Sequence, residues 1–118
     1  MLFRSKAYTF SPELVGARDP RYGDFSIGNI VTDDLEALLG ASALALQFRD
    51  IRAGVEKCRS DCTYYRWCVG GSPSNKLFEN GRFDSSETMY CRLARQGVLE
   101  ETLAALERNL HGLHRIVE

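Results

Sequence analysis

The chain has 118 residues, of which 44% are hydrophobic and 26% charged, and its formal net charge at pH 7 is −1. This length is typical of one domain with its own core, and it excludes a catalytic barrel or a doubly wound sheet. The balanced charge gives no electrostatic footprint for nucleic acid or for an anionic membrane, so neither is expected as a partner. We therefore expect a single domain over residues 1–118.

The N-terminal half predicts a short strand followed by two helices. Residues 25–31 have the composition of a short β segment. Asp33 and Glu36 have the spacing of a capping box, and Gly40 is predicted to end the helix that they begin. Ser42 is predicted to cap a second helix that runs to the first cysteine. That helix carries an apolar stripe at spacings of four and three: Leu44, Phe48, Ile51 and Val55.

The C-terminal half predicts a hairpin and further helix. Asn80-Gly81 lies between short runs that contain apolar residues, which is a strong signal for a type I′ β-hairpin. Ser85 or Ser86 is predicted to cap a helix that carries Cys91, either separated from a last helix at Gly97 or continuous with it. We expect the stripe of that last helix to face the domain's own core or a missing partner. Its members alternate at spacings of four and three: Leu99, Leu103, Leu106, Leu110, Leu113 and Val117.

Four cysteines form the chemical signature of the chain. The N-terminus lacks the apolar region of a signal peptide and no apolar run could span a bilayer, so we expect a reducing cytoplasm. There, a cysteine cluster more often binds metal or performs redox chemistry than forms disulfides. Three local thiols and one remote thiol can hold a tetrahedral zinc ion or a [4Fe–4S] cluster. The residues are Cys58, Cys62, Cys68 and Cys91.

The spacing of the cysteines favours the cluster over zinc. Structural zinc sites prefer two cysteine pairs with short gaps, and this chain has only one such pair, Cys58 and Cys62. A cluster is larger than one ion and accepts ligands that are more widely spread. Zinc and unligated buried thiols remain the alternatives.

Three blocks around these cysteines resemble the SPASM domain. They are residues 58–71 (CRSDCTYYRWCVGG), residues 73–81 (PSNKLFENG) and residues 87–92 (ETMYCR). SPASM domains form the C-terminal auxiliary iron–sulfur part of radical S-adenosylmethionine enzymes that modify peptides. The blocks are most similar to maturases that cross-link ribosomally made peptides, and the resemblance covers about residues 23–110.

The resemblance implies one [4Fe–4S] cluster. The family usually has seven ligand positions for two clusters. Four of them match Cys58, Cys62, Cys68 and Cys91, whereas Ser72 occupies another and no cysteine precedes Cys58. The implied fold is a small, mostly helical α+β domain with a short β-hairpin and a cysteine-rich cluster-binding loop.

The implied function is cluster binding and substrate handling in a peptide-modifying radical S-adenosylmethionine system. The chain lacks the CxxxCxxC motif and the barrel of the catalytic part, so it is not expected to cleave S-adenosylmethionine alone. The implied partners are a radical S-adenosylmethionine catalytic domain or subunit and a ribosomal precursor peptide. The alternative is a zinc-stabilised or metal-free module for protein interaction.

Other chemistry-bearing residues have structural interpretations. Asn75 and Lys76 are interpreted as turn-forming residues. The alternative is that they donate hydrogen bonds to a cluster or to the hairpin. His111 and His114, one helical turn apart, are expected to face solvent. The aromatic residues beside the cysteines are expected to pack their own loop, and the arginines there either offset the charge of a cluster or are solvated. The two sets are Tyr64, Tyr65 and Trp67, and Arg59, Arg66 and Arg92.

Overall fold

The structure, a computed structural model, describes the backbone of residues 5–117 and the side chains of residues 5–41 and 45–112. Strands β1 (Lys6–Ala7) and β2 (Gly28–Asn29) pair antiparallel, with Lys6 opposite Asn29. Within the described residues there are five α-helices. They are α1 (Leu35–Leu44), α2 (Leu46–Asp61), α3 (Tyr65–Cys68), α4 (Pro73–Asn80) and α5 (Gly97–Val117). The prediction of a small, mostly helical α+β domain is confirmed.

An aromatic core holds the N-terminal loops against the middle of the chain. Leu14 and Phe83 are fully buried, and Phe25 and Leu77 are nearly so. The Phe83 ring lies 4.7 Å from the Tyr22 ring and 5.9 Å from the Phe25 ring, centroid to centroid. Because a buried aromatic side chain removes a large apolar area from water, these few rings supply much of the core of a small domain.

Helix α2 approaches the segment after α4 most closely at Gly54. A Cβ atom at this position would lie 2.2 Å from the Phe83 carbonyl oxygen and 2.9 Å from the Ser85 carbonyl oxygen. No side chain fits in that space, so the glycine allows the backbone of residues 83–85 to pack directly on the helix. This contact fixes Phe83 in the core.

Three of the buried positions of α2 each precede a member of the predicted apolar stripe by one residue, and two of them are polar. Phe48, Ile51 and Val55 are half-buried, whereas the positions preceding them are buried: Gln47, Asp50 and Gly54. The prediction of that stripe as the buried face is therefore wrong, and the side chain of Leu44 lies outside the described residues. The physical reason is that hydrogen bonds compensate the buried polar groups.

Asp50 is the centre of that buried polar network. Its Oδ2 atom accepts hydrogen bonds from the Tyr22 hydroxyl at 2.7 Å and from Arg21 Nε at 2.9 Å. Burial alone would raise the pKa of Asp50, but these donors hold it below its usual value. Burial and the neighbouring carboxylate raise the pKa of Tyr22 to about 12. The network ties the N-terminal loops to α2.

The predicted hairpin at Asn80-Gly81 is wrong, because this pair ends helix α4. Pro73 lies in the first turn of the helix, where its missing N–H costs no hydrogen bond. Gly81 adopts a left-handed conformation with φ 73° and donates its N–H to the Leu77 carbonyl at 2.8 Å. A glycine with positive φ suits a helix C-terminus as well as a type I′ turn. The antiparallel pair in this fold is β1 with β2.

Helix α1 differs from its prediction at both ends. Asp34, not Asp33, caps it, since its Oδ1 accepts a hydrogen bond from the Ala37 N–H at 2.7 Å. The helix continues through Gly40 and Ser42 to Leu44, so neither residue has its predicted role. The break comes at Ala45, whose extended backbone precedes α2.

The helix that carries Cys91 begins at Met89 and runs without interruption into α5. Thr88 caps it, its hydroxyl accepting a hydrogen bond from the Cys91 N–H at 3.1 Å. The predicted caps Ser85 and Ser86 are therefore wrong, and Gly97 is absorbed into one long helix. A π-helical segment, Cys91–Gln96, joins the two parts.

Helix α5 extends away from the rest of the molecule. The chain measures 71 × 25 × 25 Å, and its long axis is much longer than expected for a compact domain of this size. Three leucines of the predicted stripe are 43%, 53% and 60% exposed: Leu103, Leu106 and Leu110. The structure thus leaves this part of the stripe uncovered, and the side chains of Leu113 and Val117 lie outside the described residues. Among the described helices, none has the length and apolar character needed to cross a membrane.

Candidate metal centre

All four cysteines line one cavity of about 290 Å³. Cys58 lies in the last turn of α2 and Cys62 follows that helix, while Cys68 ends α3. Cys91 comes from the start of the π-helical segment, far along the chain. The structure therefore places the three local cysteines and the remote cysteine in the wall of one cavity.

The four thiols share the cavity without converging on a point. Cys58 is buried and the other three are half-buried, and no disulfide joins any of these four described residues. Within the described part of the chain, no three Cys, His, Asp or Glu side chains form a group that could hold a metal ion.

The turn after Cys68 wraps the chain around the cavity. Val69, Gly70 and Gly71 have φ values of 56°, 106° and 69°, which lie in the region that favours glycine. A Cβ atom at Gly70 would lie 3.0 Å from the Val55 side chain of α2. The two glycines allow the chain to reverse close to α2, so that α4 can complete the cavity.

A buried lysine faces the first cysteine. Lys76 of α4 is only 4% exposed, and its Nζ atom donates a hydrogen bond to the Cys58 sulfur at 3.3 Å. A buried ammonium group requires a negative or polar partner, and the Cys58 sulfur is the partner that the structure gives it. The interpretation of Lys76 as a turn-forming residue is therefore wrong, because it lies within a helix and faces the site. Asn75 beside it also lines the cavity.

The sulfur of Cys91 receives hydrogen bonds from its own helix terminus. The Thr88 N–H donates to it at 3.2 Å, and Gln96 Nε2 lies 3.9 Å away. The π-helical segment widens the turn so that Cys91, Arg95 and Gln96 all line the cavity. Sequence reasoning missed Thr88 and Gln96. Thr88 had a possible signal as a capping residue, whereas the sequence carries no established signal for a π-helical segment.

Glu79 joins α4 to the helix that carries Cys91. Its carboxylate accepts hydrogen bonds from the backbone N–H groups of Met89 at 2.6 Å and Tyr90 at 3.2 Å. Together with Thr88 it satisfies the first amides of that helix, which otherwise lack partners. The remote cysteine is thus held in place by the element that carries Lys76.

Some of the charged and aromatic residues near the cysteines line the cavity, whereas others are exposed on the surface. Arg59 and Arg92 are exposed and lie 3.2 Å and 3.5 Å from Glu56 and Glu87, so their interpretation as solvated arginines fits. Trp67 is 61% exposed, and the expectation that it packs the loop is wrong.

Tyr64, by contrast, lines the cavity. Its hydroxyl donates a hydrogen bond to Glu100 of α5 at 2.6 Å, and this bond raises the pKa of Tyr64. Far from the site, His111 is exposed as expected, its Nδ1 atom 3.0 Å from the Glu107 carbonyl oxygen. The side chain of His114 lies outside the described residues.

A search of known proteins finds a relative of this chain, whereas family models and solved structures give no match. A protein of Synechocystis sp. (strain ATCC 27184 / PCC 6803 / Kazusa), named "Uncharacterized protein sll1766", is 44% identical to the chain over 102 residues. The match covers 86% of this chain and 26% of the relative. The chain thus spans about a quarter of the length of that protein.

Proposed function

We propose that this domain binds one [4Fe–4S] cluster through Cys58, Cys62, Cys68 and Cys91. It would serve as the auxiliary cluster-binding and substrate-handling domain of a radical S-adenosylmethionine system that modifies peptides in the cytoplasm. The observation that carries the proposal is the cavity: three local cysteines and one remote cysteine, which the sequence pattern assigns to one ligand set, all line it.

The donors around the sulfurs support a negatively charged, sulfur-ligated guest. Lys76 donates to Cys58, and the Thr88 N–H donates to Cys91. Hydrogen bonds to cysteine sulfur and the exclusion of water are the means by which a protein holds such a cluster and sets its potential. These two contacts come from residues that are themselves buried, Lys76 and Thr88.

The spacing of the cysteines along the sequence favours a cluster over zinc. Structural zinc sites prefer two cysteine pairs with short gaps, and this chain has only one such pair, Cys58 and Cys62. A [4Fe–4S] cluster binds each cysteine at a different iron, so its ligands lie farther apart. A zinc-stabilised or metal-free interaction module is the alternative.

With four cysteine ligands, the cluster would offer no iron for direct binding of substrate. It would supply one-electron redox chemistry and hold the fold of its site. Substrate handling falls to the side chains on the cavity rim. Arg95 and Tyr90 are exposed there and offer a peptide a cationic donor and an aromatic surface.

The partner we propose is a radical S-adenosylmethionine catalytic domain or subunit, with a ribosomal precursor peptide as substrate. The matched relative is roughly four times as long as the matching segment, which leaves room for such a domain in that protein. Around the start of α1, four large apolar side chains are at least 60% exposed, a surface suited to packing against another domain. They are Ile30, Val31, Leu35 and Leu39.

Anaerobic reconstitution of the chain with iron and sulfide tests the proposal. We expect a brown protein with broad absorption near ~400 nm and about four irons and four sulfides per chain. Cys91→Ser should lower iron incorporation strongly, because it removes the remote ligand. Ser72→Ala is the matched control, since Ser72 lines the same cavity but carries no thiol.

Two results would contradict the proposal. A colourless chain that takes up one zinc ion would assign the site to the alternative function. Equal iron content in Cys91→Ser and in the unmodified chain would show that the remote cysteine is not a ligand. The loaded chain alone should produce no 5′-deoxyadenosine from S-adenosylmethionine, because all four cysteines are assigned to one closed cluster.

A further inference from the structure

Lys76 is a buried lysine that has no carboxylate beside it. None of the ion pairs between described residues includes it. Asp50 is the other buried charged side chain in the described part of the chain, and its charge is compensated by donors from Arg21 and Tyr22. Lys76 lines the cavity, so a negatively charged group bound there would compensate its charge.

The acceptor that the structure gives Lys76 belongs to the proposed ligand set. Its Nζ atom donates to the Cys58 sulfur at 3.3 Å, and Cys58 is itself buried. An ammonium group carries three N–H donors, and among the described residues this hydrogen bond engages one of them. The positive charge of Lys76 therefore lies next to a ligand sulfur and away from water.

The other charged residues that line the cavity are exposed. They are Asp61, Glu87 and Arg95. Water and salt screen exposed charges, whereas a buried charge acts through a medium of lower dielectric constant and is screened much less. Of the charges that line the cavity, we therefore expect Lys76 to have the largest effect on the electrostatic potential at the sulfurs.

We propose that Lys76 raises the reduction potential of the cluster through the Cys58 sulfur. This inference rests on the proposed function. Reduction adds one electron, and thus one negative charge, to a group that four thiolates already make anionic. A low-potential one-electron donor supplies that electron and is oxidised by it, and no proton is taken up. Because the charge near a cluster and the hydrogen bonds to its sulfurs set its potential, a buried ammonium group favours the reduced form.

An anaerobic redox titration of the reconstituted chain, followed by the visible absorption of the cluster, tests the role of Lys76. Lys76→Met keeps a long side chain but removes the charge and the donor. At one fixed solution potential, we expect the ratio of reduced to oxidised protein to fall at least about tenfold, which corresponds to a midpoint potential about 59 mV lower. Lys57→Met is the matched control, because Lys57 precedes Cys58 in the chain but is exposed. It should change the ratio by less than about twofold.

A second variant and a change of salt separate the charge from the hydrogen bond. Lys76→Gln retains an N–H donor without the charge, so it should lower the ratio in the same direction. The difference between Lys76→Met and the parent chain should persist at about 1 M salt, because salt screens a buried charge much less than an exposed one.

Each failure of the inference gives a distinct result. Equal midpoint potentials in Lys76→Met and the parent chain would overturn it, and so would an unchanged potential in Lys76→Gln, since the charge would then have no effect. A difference that disappears at high salt would assign the effect to exposed charges. Loss of the cluster from both variants would show that Lys76 holds the site and does not tune it. A parent chain that takes up no cluster would overturn the proposed function as well, so the two failures are distinguishable.

Discussion

Helix α2 connects two regions that are stabilised in different ways. Its middle, at Asp50 and Gly54, packs against the aromatic core, where Phe83 is fully buried. Its end, at Cys58, lines the cavity with the other cysteines. Among the described residues, every buried side-chain nitrogen and oxygen has a hydrogen-bond partner. The core is thus held by buried rings and by satisfied hydrogen bonds, whereas the cavity is lined by four cysteines and a buried lysine. In the second region, the proposed cluster would add metal ligation to these contacts.

The largest effect should come from the aromatic core. Phe83→Ala removes a fully buried ring that contacts the rings of Phe10, Tyr22 and Phe25. We expect it to lower the free energy of unfolding by about 3–5 kcal/mol, since the ring loses its burial and leaves a cavity. Urea denaturation followed by near-ultraviolet circular dichroism measures the change.

Phe78→Ala is the matched control for that experiment. Phe78 is 61% exposed, in the helix that also carries Lys76. Its replacement should change the free energy of unfolding by at most about 0.5 kcal/mol, as is usual for exposed positions. Similar losses in the two variants would mean that the ring cluster around Phe83 does not stabilise the domain.

The cavity should respond instead to removal of the proposed cluster. In the reconstituted protein, anaerobic chelation should speed amide hydrogen exchange in residues 62–72 and 86–91 by at least about tenfold, because binding of a metal group and folding of its site are coupled. Amides of the core segment around Phe25 and those of the α5 helix should change little. Hydrogen exchange with mass spectrometry measures both groups in one experiment. Equal protection before and after chelation would show that the cavity, like the core, stands without a guest.

The sequence predicts the two regions unequally. The aromatic core comes from loop residues such as Phe25 and from Phe83, which follow no periodic pattern, and its polar partner Asp50 lies beside the predicted stripe. The cysteines, in contrast, are identified by residue type and spacing alone, and the structure brings all four to one cavity. The aromatic core depends on contacts between residues far apart in the sequence, which no local pattern predicts. The cysteine-lined cavity can be recognised from the types and spacing of a few residues.

A short sequence motif predicts the wrong element when two kinds of local structure need the same backbone conformation. Gly81 satisfies the positive φ of a helix C-terminus, and the same Asn-Gly pair also suits a tight hairpin. Pro73, eight residues earlier, favours the helix, because proline suits a first helical turn. The interpretation of Lys76 as a turn-forming residue is wrong for a related reason: because residues 73–80 form a helix, the lysine does not lie in a turn and faces Cys58. The prediction of a hairpin instead of a helix therefore gives Lys76 the wrong role.

The polar link between the N-terminal loops and α2 gives a smaller effect. Tyr22→Phe removes the hydroxyl that donates to buried Asp50, and we expect a loss of about 1–2 kcal/mol in the free energy of unfolding. The pKa of Tyr22 is raised to about 12 in the folded protein, so its contribution is present below about pH 10 and is lost as the pH rises towards 12. Tyr22→Phe should therefore lose this part of the alkaline dependence.

Tyr90→Phe is the control for the alkaline experiment. Tyr90 is 48% exposed, and its replacement should leave both the stability and the alkaline dependence unchanged. Urea denaturation at several pH values above neutrality measures the two variants and the parent chain together. If Tyr22→Phe retains the full alkaline dependence, another group carries it and the link between Tyr22 and Asp50 contributes no pH dependence.

The smallest effect should come from Asp24, at the edge of the aromatic core. Hydrogen bonds from Lys6 and Ser26 lower its pKa to about 2. A lowered folded pKa means that the carboxylate stabilises the fold above about pH 4 and that this stability is lost as the pH falls towards 2. Because the side chains of Lys6 and Asp24 are 30% and 27% exposed, solvent screening limits the contribution to about 1 kcal/mol. Asp24→Asn should therefore be less stable than the parent chain at about pH 6, and the difference should vanish near about pH 2.

Lys6→Met should cause a similar loss, and the double variant should lose little more than either single one, because both changes remove the same pair. A difference between Asp24→Asn and the parent that persists unchanged at low pH would rule out ionisation of Asp24 as its cause.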